Sequence, residues 1–254
     1  METECLQLAP NAVAANIIGD VHGRDAWKDV IIDGVRNVFV GDYLDPYQNI
    51  SFEDCKRNFL EIVDYKKQHP ETVLLYADHE LHYLLYDKGG EIYSRFDSMH
   101  ATEVQELLYE NEEYFNGVAY AVGDHLITHA GVSRQWWERY FGLYRGEAPN
   151  EVAEHINNLW EINKNAFMVR PNAIFDYGNY EGPTQSPIWL RSYVFEKQGV
   201  NLFEDTNYWQ VFGHTQVPYV VDSQKGFTNV DCLGNKALGK PVQSYQIIKR
   251  NTEY

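Results

Sequence analysis

Five short apolar runs in this 254-residue chain each end in a small residue, a side chain able to ligate a metal, or both. They are Ile17-Ile18-Gly19-Asp20-Val21-His22, Phe39-Val40-Gly41-Asp42, Leu75-Tyr76-Ala77-Asp78-His79, Leu126-Ile127-Thr128-His129 and Val211-Phe212-Gly213-His214. Taken singly, an Asp after a strand is usually a turn or cap residue, and a single His is more often structural than a ligand. Five at the same topological point are another matter. Ligands of open α/β sheets gather at the carboxyl ends of strands, so the five ends predict one convergent site. A mixed shell of carboxylate and imidazole suits a pair of divalent ions, with imidazole favouring Mn, Fe, Zn or Ni over Mg or Ca. The small residues let the backbone turn sharply and approach closely.

The elements that must carry these residues alternate early and cluster late. Strand-like runs occur at Val13 to Ile18, Val38 to Val40, Thr72 to Tyr76, Val118 to Val122, Leu126 to Thr128 and Trp209 to Phe212. Tyr219 to Val221, Gly226 to Val230 and Gln243 to Ile248 read as later antiparallel strands. Helical spacing predicts a helix over Ser51 to Gln68, opened by a Ser51/Asp54 capping box and closed before Pro70. It predicts another over Asn150 to Phe167, with Asn150 as its cap. No linker or internal repeat divides the chain, so one mixed α/β domain over residues 1–254 is expected.

Gly19-Asp20-Val21-His22-Gly23, Gly41-Asp42-Tyr43-Leu44-Asp45, Asp78-His79-Glu80, Thr128-His129-Ala130-Gly131 and Phe212-Gly213-His214-Thr215 resemble, in order, the five signature motifs of the calcineurin-like metallophosphoesterases. Within that superfamily they look like the phosphoprotein phosphatase branch, including its small bacterial and phage serine/threonine phosphatases and the symmetrical dinucleoside tetraphosphatases. Ser186-Pro187-Ile188-Trp189-Leu190-Arg191 and Asn229-Val230-Asp231-Cys232 resemble further segments of that branch, and the likeness runs from about residue 16 to 232. The resemblance implies a four-layer α/β/β/α sandwich with a dimetal centre, manganese being favoured. One ion would be held by Asp20, His22 and Asp42, the second by Asp42, Asp78, His129 and His214, with Asp42 as the bridge. It further implies a phosphoric ester hydrolase in which a dimetal-bound hydroxide attacks phosphorus directly, without a phosphoenzyme. His79 would then protonate the leaving group, oriented by Asp45.

Two positions depart from the family pattern. The Arg that usually follows the second Asp of the second motif is replaced by Pro46, so Arg191, and after it Arg24, become the candidate phosphate clamps. Asp78 stands where the family has Asn. Three carboxylates against two divalent ions leave one positive charge, which a bridging hydroxide cancels; an Asn would have left that charge in place, so Asp78 is expected to weaken Lewis acidity. The expected substrate is a phosphoprotein or small phosphoester. A dinucleoside polyphosphate is the alternative, with Tyr43, Tyr47 and Trp189 as a possible base-stacking wall. The third reading is a catalytically weak metal-binding regulatory module on the same fold.

The composition agrees with a globular protein: 44% hydrophobic and 23% charged. A formal charge of −16, without any Lys/Arg run, excludes nucleic acid as a partner and disfavours long polyanions. No apolar stretch approaches the roughly 20 residues a membrane helix needs, and the first residues lack a signal-peptide pattern, so a cytoplasmic location is expected. Cys5, Cys55 and Cys232 form no disulfide or metal framework, and reduced thiols fit best. His82 reads as a supporting or surface residue, Trp136-Trp137 as helix packing and His125 as structural. GxxxxGK, GxSxG and GxGxxG motifs are absent, which argues against nucleotide-fuelled, serine-hydrolase and dinucleotide-redox chemistry.

Overall fold

The computed structural model describes residues 13–47, 49–89, 95–169 and 182–249. Cys5 lies outside them. Two sheets form the middle of the molecule. The first contains β1 (Val13–Ile18), β2 (Asn37–Phe39), β3 (Val73–Leu74) and β9 (Tyr245–Ile248) in the order β3-β2-β1-β9. The second contains β4 (Ala119–Val122), β5 (His125–Thr128), β6 (Trp209–Phe212), β7 (Val221–Ser223) and β8 (Phe227–Asn229) in the order β4-β5-β6-β8-β7. β1, β2 and β3 run parallel, as do β5, β6 and β8, while β9, β4 and β7 are antiparallel edges.

Alternation along the strands explains the layering. Ile17, Val38, Val73, Ile127 and Val211 face into a core between the sheets, joined by Ala15, Val40, Leu75 and Val230. Their neighbours Ile18, Phe39, Leu74 and Leu126 face outward, into a second core shared with the helices. The helices of that core are α1 (Phe52–Gln68), α2 (Asp78–Leu84), α3 (Ala101–Glu110), α4 (Arg134–Phe141) and α5 (Pro149–Ile162), with α5 packed on β4 and β5 and α2 against α3. This is the expected α/β/β/α order.

Local chemistry sets the helix ends. Ser51 Oγ accepts the Asp54 N–H at 3.1 Å, as the capping box predicts. The second expected helix is displaced: α5 is capped at Ala148 instead of Asn150 and stops at Ile162. Pro149 supplies a helix-ready φ at the first position, and Glu151 accepts the Ala148 N–H at 2.8 Å. Lys164–Phe167 continues only as a 3-10 turn. β3 and β7 also differ from their expected spans, Thr72 to Tyr76 and Tyr219 to Val221, because only Val73–Leu74 and Val221–Ser223 find ladder partners. Trp136 and Trp137 are buried in the outer core, as expected. Among the described residues, no helix is long and apolar enough to cross a membrane.

Candidate metal centre

The carboxyl ends of three parallel strands in each sheet meet at one point. β1 delivers Asp20 and His22, β2 delivers Asp42, and the residues after β3 run into α2, whose first two positions are Asp78 and His79. Across the seam, β5 delivers His129 and β6 delivers His214. All seven side chains are buried. The turns that deliver them are demanding. His22, Asp42, Asp45 and His214 have φ of 46°, 53°, 56° and 63°, the left-handed region that non-glycine residues avoid, at a cost on the order of 1–3 kcal/mol each. Glycine is needed where backbones close in: a Cβ on Gly213 would lie 2.0 Å from Asp20 Oδ1, and one on Gly19 would lie 2.3 Å from the Val230 carbonyl oxygen.

Ligand atoms of Asp42, Asp78, His129 and His214 lie within 4.8 Å of one another, and those of His22, Asp42 and His79 form a second such group. Asp42 is common to both. His129 Nε2 is 3.0 Å from Asp78 Oδ1, 3.5 Å from Asp42 Oδ2 and 3.1 Å from His214 Nδ1, while His22 Nε2 is 3.2 Å from Asp42 Oδ2. Asp20 stands behind these groups. Its carboxylate accepts the His214 N–H at 2.9 Å, and its Oδ1 is 4.0 Å from His129 Nδ1.

The donor chemistry fits cations. The His129 Nδ1–H donates to the Val40 carbonyl at 2.9 Å, and the His22 Nδ1–H donates to the carbonyls of Leu44 and Asp45 at 3.1 and 3.0 Å. Carbonyls only accept, so in each neutral ring Nε2 carries a lone pair, and that lone pair faces carboxylate oxygens. Only a cation between them reconciles the arrangement, either a proton or a metal ion. A buried set of Asp oxygens and His nitrogens suits Mn, Fe or Zn.

Electrostatics follow from that crowding. Burial and the neighbouring Asp231 carboxyl push Asp20 well above the usual carboxylate range, and burial raises Asp231 as well. Burial would lower His129, but Asp42 and Asp20 hold it well above an ordinary imidazole. Burial lowers His214 to about 4, with Asp78 opposing and Arg191 reinforcing the shift. His79 is pushed up to about 10 because Asp42, Asp78 and Asp45 outweigh its burial.

Beside the cluster lies a polar cleft of about 230 Å³, lined by Arg24, Tyr47, Trp189, Arg191, Gln216 and Asp231 as well as by His79 and the candidate ligands His22, Asp42, Asp78 and His214. Arg191 Nη1 donates to the His214 carbonyl at 3.1 Å, and Arg24 Nη2 to the Asp20 carbonyl at 2.7 Å, so both candidate clamps reach the cleft. His79 Nδ1–H donates to Asp45 Oδ2 at 2.8 Å, the pairing expected across the two motifs. Burial would raise Asp45, but hydrogen bonds from His79 and His82 hold it below the usual carboxylate range. Tyr43 does not join the cleft wall. Its ring is buried among Phe39, Phe59 and Phe115, leaving Tyr47 and Trp189 as the aromatic lining.

Three residues around the site take roles that the sequence motifs leave open. Glu80 accepts the backbone N–H groups of Asp42, Tyr43 and Ala77 at 3.1, 2.9 and 3.0 Å, tying the second motif to the third. Asp231 reaches the cleft two residues beyond the end of β8, the same strand-end placement that marks the other five. His82 is buried and bonded to Asp45.

Neither a family model nor a curated protein matches the chain. Among solved structures, it is similar to a protein serine/threonine phosphatase from Saccharomyces cerevisiae described as similar to human phosphatase PP5. The likeness has 16% identity and a TM-score of 0.47, and it covers 87% of this chain and 67% of that one. A likeness that faint carries no argument about chemistry, which rests here on the side chains.

Proposed function

We propose that the protein is a metal-dependent phosphoric ester hydrolase acting on phosphomonoesters, most simply those of a serine/threonine phosphoprotein. The observation that carries this reading is the buried group of Asp42, Asp78, His129 and His214, with His22 also against Asp42, opening onto a cleft that presents two guanidinium groups and a His79–Asp45 pair. His22, Asp42, Asp78, His129 and His214 would hold two divalent ions, with Asp20 supporting them or joining the first. When bound, the ions supply a water of lowered pKa and charge for the phosphate oxygens.

The chain's own residues do the rest. Arg191, held by the His214 carbonyl, pairs with a phosphate oxygen, and Arg24 approaches from the other motif loop. Water adds to phosphorus, the bond to the alcohol oxygen breaks, and that oxygen takes its proton from His79 Nε2. Asp45 keeps the opposite nitrogen protonated and the ring in place. Bound ions would absorb the charges of Asp42 and Asp78, leaving Asp45 as the acid that still favours the imidazolium form.

The cleft is small, and Arg24 also lines a groove of about 560 Å³ that includes Lys28, Arg57, Lys236, Asp54 and Glu61. Its mixed charges suit the polypeptide carrying a phosphorylated side chain. The second reading is a dinucleoside polyphosphate, favoured by Tyr47 and Trp189 in the cleft lining. Either substrate would be met in a reducing cytoplasm, where the buried thiols of Cys55 and Cys232 remain free.

The test is to load metal-free protein with manganese and offer p-nitrophenyl phosphate, a phosphoserine peptide and diadenosine tetraphosphate in parallel. Turnover of the first two is expected. Turnover of the dinucleotide alone would select the second reading. Metal binding without turnover would leave a regulatory metal-binding module.

A further inference from the structure

Asp45 is bonded from three sides, and only one of those bonds is to His79. We infer that Tyr83 and His82 clamp Asp45 and thereby set the orientation of His79, which makes them positioning residues for proton delivery to the leaving group. This rests on the hydrolytic reading above.

His79 Nδ1–H and His82 Nε2–H both donate to Asp45 Oδ2 at 2.8 Å, and the Tyr83 hydroxyl donates to Oδ1. A carboxylate with donors on one oxygen only can swing about its Cβ–Cγ bond and carry a bonded imidazole with it. Tyr83 pins the second oxygen and removes that freedom. Helix geometry makes the arrangement possible: His79, His82 and Tyr83 are spaced i, i+3 and i+4 on α2, so their side chains share one face and converge on a single acid.

The clamp is itself anchored. The Tyr83 hydroxyl accepts the Asp97 N–H at 2.9 Å, and its ring stacks on Phe96 with centroids 4.8 Å apart. Asp97 accepts in turn from the His100 Nδ1–H at 2.7 Å. Hydrogen bonds therefore join the partly exposed His100 to the Asp97 carboxylate, the Asp97 backbone to Tyr83, and Tyr83 through Asp45 to His79 at the cleft. Asp45, His79, His82 and Tyr83 are all buried, so water does not replace a lost partner freely.

A purely structural network would lower all activity together with the fold. A positioning clamp should matter only where the leaving oxygen needs a proton. The manganese-loaded protein is therefore compared with Tyr83→Phe and His82→Leu on two esters: p-nitrophenyl phosphate, whose leaving anion is stable, and phenyl phosphate, whose leaving group needs protonation more. We expect kcat on phenyl phosphate to fall roughly tenfold, a fraction of the hundredfold or more that a general acid supplies, and kcat on the nitrophenyl ester to change less than about twofold, with KM unmoved. If Tyr83→Phe does not fold, His82→Leu carries the same comparison.

A second readout needs neither metal nor turnover. In 15N-histidine-labelled, metal-free protein, the His79 Nδ1–H proton resonance, assigned by its loss in His79→Gln, should shift or broaden in Tyr83→Phe. Equal losses on the two esters, no loss on either, or an unmoved resonance would overturn the clamp. Should the unsubstituted protein hydrolyse neither ester, the phosphomonoester reading fails, and the resonance alone decides whether Tyr83 and His82 orient His79.

Discussion

The two walls of the candidate metal centre are built differently. The wall from the first sheet frames itself. Glu80 ties the loop after β2 to the start of α2, Asp45 gathers three donors, and His22 is fixed by two carbonyls of that same wall. The wall from the second sheet is oriented largely from across the seam. His129 is aligned by the carbonyl of Val40, and the His214 backbone is held by Asp20, both from the first sheet. Arg191 has its hydrogen bond to the His214 carbonyl and a cation–π approach of 5.7 Å to Trp189. The difference teaches a direction of dependence. Damage to the first wall should disturb the second, whereas changes in the second should leave the first standing.

The hardest blow to that asymmetry is Asp42→Asn, because Asp42 belongs to both groups. Turnover should fall by roughly a thousandfold, the scale of the several kcal/mol that metal charge supplies, and metal analysis of the dialysed protein should show both ions weakened. Glu80→Gln strikes the frame without touching a candidate ligand atom. An amide cannot accept three backbone N–H groups as a carboxylate does, so urea unfolding should show a loss of about 3 kcal/mol, with weaker metal binding by His129 and His214 across the seam. An unchanged second wall in that variant would contradict the asymmetry.

Arg191→Ala is the reverse experiment. Turnover should drop roughly a hundredfold, as for a lost oxyanion donor, while urea unfolding and metal stoichiometry stay near those of the unsubstituted protein. Asp78→Asn should have the smallest effect and the opposite sign. Removing one negative charge beside the ions is expected to raise turnover with manganese roughly threefold, and a fall would show that Asp78 does not weaken catalysis.

Much of this was legible in the sequence because the chemistry coincides with changes of hydrophobic period. Ile17 and Ile18 face opposite cores, the strand then stops at a glycine, and Asp20 follows; Asp42 and His214 repeat this pattern, while Asp78 follows Ala77 and His129 comes directly at the strand end after Thr128. Asp231 shares only the strand-end position, two residues beyond Phe227–Asn229 and after Val230, so no small residue marks it. Glu80 was not legible as a tie, since two of its three partners are backbone N–H groups 37 and 38 residues away and carry no side-chain signature. Tyr43 was a reasonable wall candidate by its position in a motif, but aromatic packing against Phe59 and Phe115 takes its ring into the core. His82, read from the sequence as a supporting or surface residue, takes the supporting role, whereas Tyr83 becomes readable only where α2 places it on the face of His79, because a seven-residue helix is too short for periodicity to announce.

The left-handed backbone at His22, Asp42, Asp45 and His214 bears on how this protein can be altered. A glycine at any of the four would relax the main chain, so a search for heat-resistant variants would be rewarded there for discarding the very side chains that line the centre. Selection for robustness and selection for chemistry thus pull against each other at the same four codons. A lineage released from its chemistry would be expected to lose these residues early, while the alternating strand cores persisted unchanged.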